Sequence, residues 1–115
     1  MEQKLYDTVT DCPVIAAIKD DAGLERCLDS DIQIVFVLYG DIVSIPEIVD
    51  RIKKKGKLAM VHADLISGLA GKEIAIDFLK RNTQADGIIS TKLSFIKRAK
   101  ELGMATVFRF FVIDS

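Results

Sequence analysis

Two cysteines, Cys12 and Cys27, are too few and too far apart for a disulfide framework or a C-x-x-C redox motif. Both read as reduced thiols of a cytosolic protein. His62 is the only histidine, so a histidine-rich metal centre is excluded. The longest apolar runs fall well short of the ~20 residues that a membrane span requires. The N-terminal Met-Glu-Gln-Lys-Leu-Tyr-Asp lacks the basic start and apolar stretch of a signal peptide. A cytoplasmic protein without a membrane partner is expected. The net charge is only −1, so no overall field draws in nucleic acid, and any RNA contact must come from local patches. Linkers rich in Pro, Gly or Ser and low-complexity tracts are also missing, which leaves residues 1–115 as one expected domain. Nucleophile elbows, Cys-His pairs of family spacing and paired glutamates are absent too, so no residue pattern by itself identifies an enzyme.

Half of the residues are hydrophobic and 29% are charged, which excludes disorder and suits strands buried on both faces. Apolar runs alternate with helix-period segments, the mark of a βα repeat and hence a parallel sheet. Strands are expected at about Val14–Ile18, Ile32–Leu38, Leu58–Val61, Asp86–Ile89 and Ala105–Phe111. Helices are expected from Asp20 or Asp21 to Leu28, from Ser44 to Lys55, from Lys72 to Arg81 and from Leu93 to Leu102. The second helix is the best signalled. Ser44-Ile-Pro-Glu47 has capping-box spacing, Ile45, Ile48, Val49 and Ile52 share one face, and Lys53–Lys55 precede Gly56 at a left-handed cap. At 115 residues the chain is well short of the ~250 of a complete eight-unit barrel.

Polar residues cluster just after the strands. Lys19-Asp20 closes the first, Tyr39-Gly40-Asp41 the second, His62-Ala-Asp64 the third and Ser90-Thr91-Lys92 the fourth. In α/β proteins these strand ends carry the chemistry. Asp64 suits a general base, a magnesium ligand or an acceptor for a ligand hydroxyl, and equally a turn cap into the third helix. His62 reads as a buried, satisfied histidine or as an acid-base group. Gly68-Leu-Ala-Gly71 either shapes a loop or admits a phosphate at a helix start. Lys19, Lys92 and Arg109 are cations at or within strand ends, where desolvation calls for a partner or an anionic small molecule. Arg109 alternates with Phe108 and Phe110, and suits either a pair with Asp64 or Asp86 or a ligand contact. Lys80, Arg81, Lys97, Arg98 and Lys100 read as solvated helix faces, or as a phosphate-binding patch for RNA.

Four blocks carry a family resemblance: Cys12-Pro-Val-Ile-Ala-Ala-Ile-Lys19, His62-Ala-Asp-Leu-Ile-Ser-Gly-Leu69, Asp86-Gly-Ile-Ile-Ser-Thr-Lys92 and Arg109-Phe-Phe-Val-Ile-Asp-Ser115. Together they resemble the glycerol-3-phosphate-responsive transcription antiterminators of bacterial glycerol uptake operons, across essentially the whole chain. The resemblance implies a TIM-barrel-like fold, binding of leader messenger RNA when glycerol 3-phosphate is present, and no catalysis or resident cofactor. It also implies a ligand face formed by Lys19, Asp41, His62, Asp64, Ser90, Lys92 and Arg109, with the glycerol hydroxyls near the carboxylates. The family pattern continues past Asp114-Ser115 into further strands, so the expected architecture is an incomplete barrel of about five parallel strands and four helices. Its open edges invite a second copy. The alternatives are an open flavodoxin-like sheet for the fold and, for the function, an aldolase-like or isomerase-like barrel enzyme acting on a phosphorylated metabolite, with Lys92 as a Schiff-base lysine.

Overall fold

A computed structural model describes residues 14–109. Five strands, β1 (Ile15–Ile18), β2 (Ile34–Val37), β3 (Leu58–His62), β4 (Gly87–Ser90) and β5 (Ala105–Phe108), alternate with four helices. These are α1 (Asp21–Leu28), α2 (Ile45–Lys54), α3 (Ile74–Asn82) and α4 (Leu93–Glu101), and one 3₁₀ turn, Ala63–Leu65, follows β3. All strand pairs are parallel, in the order β1-β2-β3-β4-β5. That consecutive order is the order of a TIM-like barrel. It corrects the flavodoxin-like alternative, in which the chain reverses across the sheet in the order 2-1-3-4-5.

The two faces of the strands have different neighbours because side chains alternate. Ile18, Val35, Val37, Ala59, Val61 and Ile88 pack outward against the helices, where Leu24, Ile45, Ile52, Ile76, Leu79 and Phe95 are buried. Ile34, Leu58, Met60, Ile89 and Ala105 form a second cluster on the opposite, concave face, joined by Phe36 and Val107. Register stacks this inner set in layers: Ala17 beside Phe36, Phe36 beside Met60, Met60 beside Gly87 and Gly87 beside Ala105. The next layer runs from His62 to Ile89 to Val107. Layered interior side chains from successive strands are the packing of a barrel core.

Helix ends show where local chemistry agreed with pattern and where it did not. Asp20 caps α1, its Oδ1 accepting from the Gly23 amide at 2.7 Å. Ile45, Ile48, Val49 and Ile52 are all buried on α2, and Gly56 adopts φ +76°, as a left-handed cap requires. The capping box expected of Ser44 and Glu47 does not form. Ser44 is itself helical and makes no side-chain cap, because Asp41 takes over: its Oδ1 accepts from the amides of Val43 and Ser44 at 2.9 and 2.7 Å. Helix α3 starts at Ile74 rather than at Lys72. Strand β5 is described as far as Phe108, so its expected continuation through Phe111, like Cys12, lies outside the described residues.

The amino ends of the strands hold a polar bolt. Lys53 Nζ donates to both Asp86 carboxylate oxygens, at 2.8 and 3.1 Å, and to the Lys57 carbonyl at 3.2 Å. Asp86 Oδ2 also accepts from the Ala59 amide at 2.8 Å. Buried Lys57 extends the other way, donating to the carbonyls of Ser30 and Ile32 at 2.8 and 2.6 Å. These groups tie α2, β3 and β4 together at the end of the sheet opposite the strand-end loops, which in barrels is the stability face.

Candidate functional site at the carboxyl ends of the strands

The loops after β2 and β3 are joined before either reaches its helix. Asp41 bridges Ser67 in parallel register, with the Ile42 amide donating to the Ser67 carbonyl at 2.8 Å and the Ser67 amide to the Gly40 carbonyl at 3.1 Å. Gly68 has φ +90°, and a Cβ there would meet Ile42 Cγ2 at 2.9 Å. Gly68 therefore shapes a loop through close approach and a left-handed backbone, which is the simpler of its two sequence readings. Asp41 serves the same rim. The Ser44 amide and hydroxyl, helped by the Val43 amide, hold its carboxyl below the usual range against an opposing desolvation.

The loops after β3 and β4 are joined by Asp64. Its Oδ1 accepts from the Ser90 hydroxyl at 2.7 Å, and its Oδ2 accepts from the Thr91 amide at 2.8 Å and the Thr91 hydroxyl at 2.6 Å. Burial pushes the Asp64 carboxyl up, but the Thr91 and Ser90 hydrogen bonds outweigh it, and the group stays ionised below the ordinary carboxylate range. Ser90 Oγ accepts in turn from the Lys92 amide at 2.9 Å. The Lys92 ammonium lies over the Phe95 ring, 4.8 Å from its centroid, and beside Gly71, where a Cβ would come within 3.3 Å of Nζ. Thr91, which makes two of the three bonds to Asp64, was not singled out in the sequence. Its only sequence signal was its place between Ser90 and Lys92.

On the concave face, His62 and Arg109 meet: Arg109 Nη1 lies 3.4 Å from His62 Nε2. They are the polar members of an open cavity of about 430 Å³ walled by Ala17, Phe36, Leu38, Ile89 and Val107. His62 is only 3% exposed, and among the described residues its Nδ1 has no hydrogen-bond partner. Burial lowers its pKa; Asp64 opposes that shift and Arg109 adds to it. A neutral imidazole beside a guanidinium suits a site that receives an anion or a hydroxyl-bearing ligand. The expected alternative of an Arg109–Asp86 pair is corrected, since Asp86 precedes β4 and is held by Lys53, whereas Arg109 follows β5 at the other end of the sheet.

Of the seven expected ligand-face residues, the structure gathers His62 with Arg109, and Asp64 with Ser90 and the Lys92 backbone. Asp41 lies apart, lining a groove with Asp21, Tyr39 and Arg51 between α1 and α2. Lys19 follows β1 and is exposed. The basic stretch on α3 and α4 is partly neutralised: Arg98 bonds both oxygens of Asp77, at 2.9 and 2.7 Å, and reaches Glu101 at 3.0 Å. Arg98 thus clasps two helices. No helix among the described residues is long and apolar enough to cross a membrane.

Consecutive parallel strands with layered interior side chains and polar groups at the carboxyl ends define a TIM-barrel-like α/β protein. The chain belongs to the glycerol-3-phosphate responsive antiterminator family, whose model matches residues 14–115. It is 50% identical over 103 residues to the uncharacterized protein YgcP of Escherichia coli strain K12, a match covering 90% of this chain and 54% of that protein. It superposes with a TM-score of 0.83 and 34% identity on the crystal structure of the glycerol uptake operon antiterminator regulatory protein from Listeria monocytogenes, covering 87% of this chain and 54% of that one. A glycerol uptake operon antiterminator-related protein from Thermotoga maritima gives a TM-score of 0.77 at 36% identity, covering 88% of this chain and 56% of that one. The chain spans about half the length of these relatives.

Proposed function

We propose that this chain carries part of a glycerol-3-phosphate sensor that controls antitermination through leader RNA of glycerol operons. Membership of the antiterminator family is the observation that carries this reading. The strand-end geometry supports it: the Arg109 guanidinium and the His62 imidazole border the cavity at the carboxyl ends of the strands, a pairing suited to a phosphate. Asp41 and Asp64 belong to the frame of this face, because their carboxylates are already engaged by backbone and hydroxyl donors. RNA phosphates would meet the exposed Lys80, Lys97 and Lys100 on the outer helices. The chain would act in the cytoplasm without a resident cofactor, and β1 and β5, the outer strands of the described sheet, are where a second copy would pair.

The aldolase-like reading gains nothing from the site. Lys92 is exposed with its ammonium over an aromatic ring, whereas a Schiff-base lysine is desolvated or crowded by another cation. The antiterminator reading is tested by gel mobility of a glycerol-operon leader RNA with and without glycerol 3-phosphate. The expected result is a shift of the RNA that requires the ligand. A shift of equal strength without ligand, or with an unrelated RNA, contradicts it.

A further inference from the structure

We infer that Asp64 is a positioning residue: it sets the shape of the β4–α4 loop, and through it the placement of Lys92, without touching the effector. The inference rests on the proposed function for the identity of that effector. Its physical basis is acceptor capacity. An ionised carboxylate offers about four lone-pair positions, and three are filled by donors from Ser90 and Thr91 at 2.6 to 2.8 Å. One position is left, so most of the carboxylate's accepting capacity is already committed to holding the loop.

The bonds form a relay. Ser90 Oγ donates to Asp64 and accepts from the Lys92 amide, so the carboxylate fixes a serine that fixes the residue opening α4. No other cap does this work, since Lys92 stands at the N-cap without a side-chain bond. The Lys92 ammonium is then laid between Phe95 of α4 and Gly71 of the β3–α3 loop. Asp64 itself follows β3 in the 3₁₀ turn, so the relay crosses from one βα loop to the next over 26 and 27 residues of sequence. Removing it takes away the side-chain tie between the β4–α4 loop and the turn after β3.

The test is a double-mutant cycle on glycerol 3-phosphate affinity with Asp64→Asn, Thr91→Val and the pair, followed by calorimetry. The Thr91 amide resonance is recorded for each variant, and Thr91→Ser serves as the conservative rescue. Asp64→Asn is expected to weaken binding by about tenfold, Thr91→Val by several-fold, and Thr91→Ser to restore the wild-type affinity. The pair is expected to bind no more weakly than Asp64→Asn alone, and the Thr91 amide to move upfield in Asp64→Asn. Losses that multiply in the pair mean that Asp64 contacts the ligand directly, and overturn the inference. An unmoved Thr91 amide overturns it as well, whatever the affinities. If the wild type does not respond to glycerol 3-phosphate while the Thr91 amide moves as expected, the effector reading fails and the loop-setting role of Asp64 is upheld.

Discussion

Gly87 is where one added methyl group should do the most damage. In β4 it stands beside Ala105 of β5, and an ideal Cβ at Gly87 would lie 2.2 Å from the Ala105 carbonyl oxygen, 2.7 Å from its carbon and 2.8 Å from its Cβ. The obstructing atoms are mainly backbone, so no side-chain rotation relieves them. Restoring ordinary contact at 3.4 Å requires a shift of 3.4 − 2.2 = 1.2 Å between the strands. That shift strains the bond from the Ala105 amide to the Asp86 carbonyl, now 3.0 Å, and its neighbours. Overpacking costs about 1–3 kcal/mol and each weakened ladder bond about 1 kcal/mol, so Gly87→Ala should lose about 3–5 kcal/mol. Against a typical total of ~5–15 kcal/mol this approaches unfolding. Gly103→Ala is the control: its φ is +76° but nothing lies within 4 Å of the added Cβ, so only the left-handed backbone is penalised, by about 1–2 kcal/mol. Urea denaturation of the two variants, compared by midpoint at constant slope, makes the measurement. A Gly87→Ala loss no larger than that of Gly103→Ala would refute the close-approach argument.

The polar bolt predicts that Asp86→Ala, which strands Lys53 and the Ala59 amide, destabilises the fold by about 3 kcal/mol in the same denaturation assay. Lys57→Met keeps the apolar stem but removes two bonds to the Ser30 and Ile32 carbonyls, and should lower stability by about 2 kcal/mol, read as a drop in urea midpoint. His62, depressed below its ordinary value of 6.5 chiefly by burial, is neutral in the fold. Because the unfolded chain takes up the proton first, its contribution to stability is complete above about pH 6.5 and is lost as pH falls through the lower folded value. The sole imidazole should therefore titrate below 6.5 by NMR, with the thermal midpoint falling over the same range. A titration at or above 6.5 contradicts the buried placement.

Much of the fold was legible because it follows from period alone. Ile34 to Val37 is an unbroken β-branched and aromatic run, and such a run belongs in a sheet covered on both faces. The stripe of Ile45, Ile48, Val49 and Ile52 could serve only a helix with one buried side. What escaped was decided between elements. The pairing of Lys53 with Asp86 spans 33 residues and exists because β3 and β4 lie side by side in one register. Lys57 follows a helix-capping glycine with no pattern to mark it, yet it is buried on carbonyls contributed by the α1–β2 connection. At Ser44 the capping box read from the sequence gave way to an Asx turn of Asp41, which satisfies two amides at once. The candidate site was legible as a location, the carboxyl ends of the strands. Its division of labour was not, because nothing in the spacing of His62, Asp64 and Lys92 reveals that the carboxylate turns toward Thr91 and the imidazole toward Arg109.

The most direct test of the central claim, that the carboxyl ends of these strands receive glycerol 3-phosphate, is a thermal melt with and without millimolar glycerol 3-phosphate, with glycerol and inorganic phosphate as controls. A ligand that binds only the folded state raises the midpoint by mass action; at 100 times Kd the gain is about 2.7 kcal/mol. The account predicts a rise for glycerol 3-phosphate that neither control reproduces. A cooperative melt whose midpoint stays fixed, or rises equally with inorganic phosphate, contradicts it.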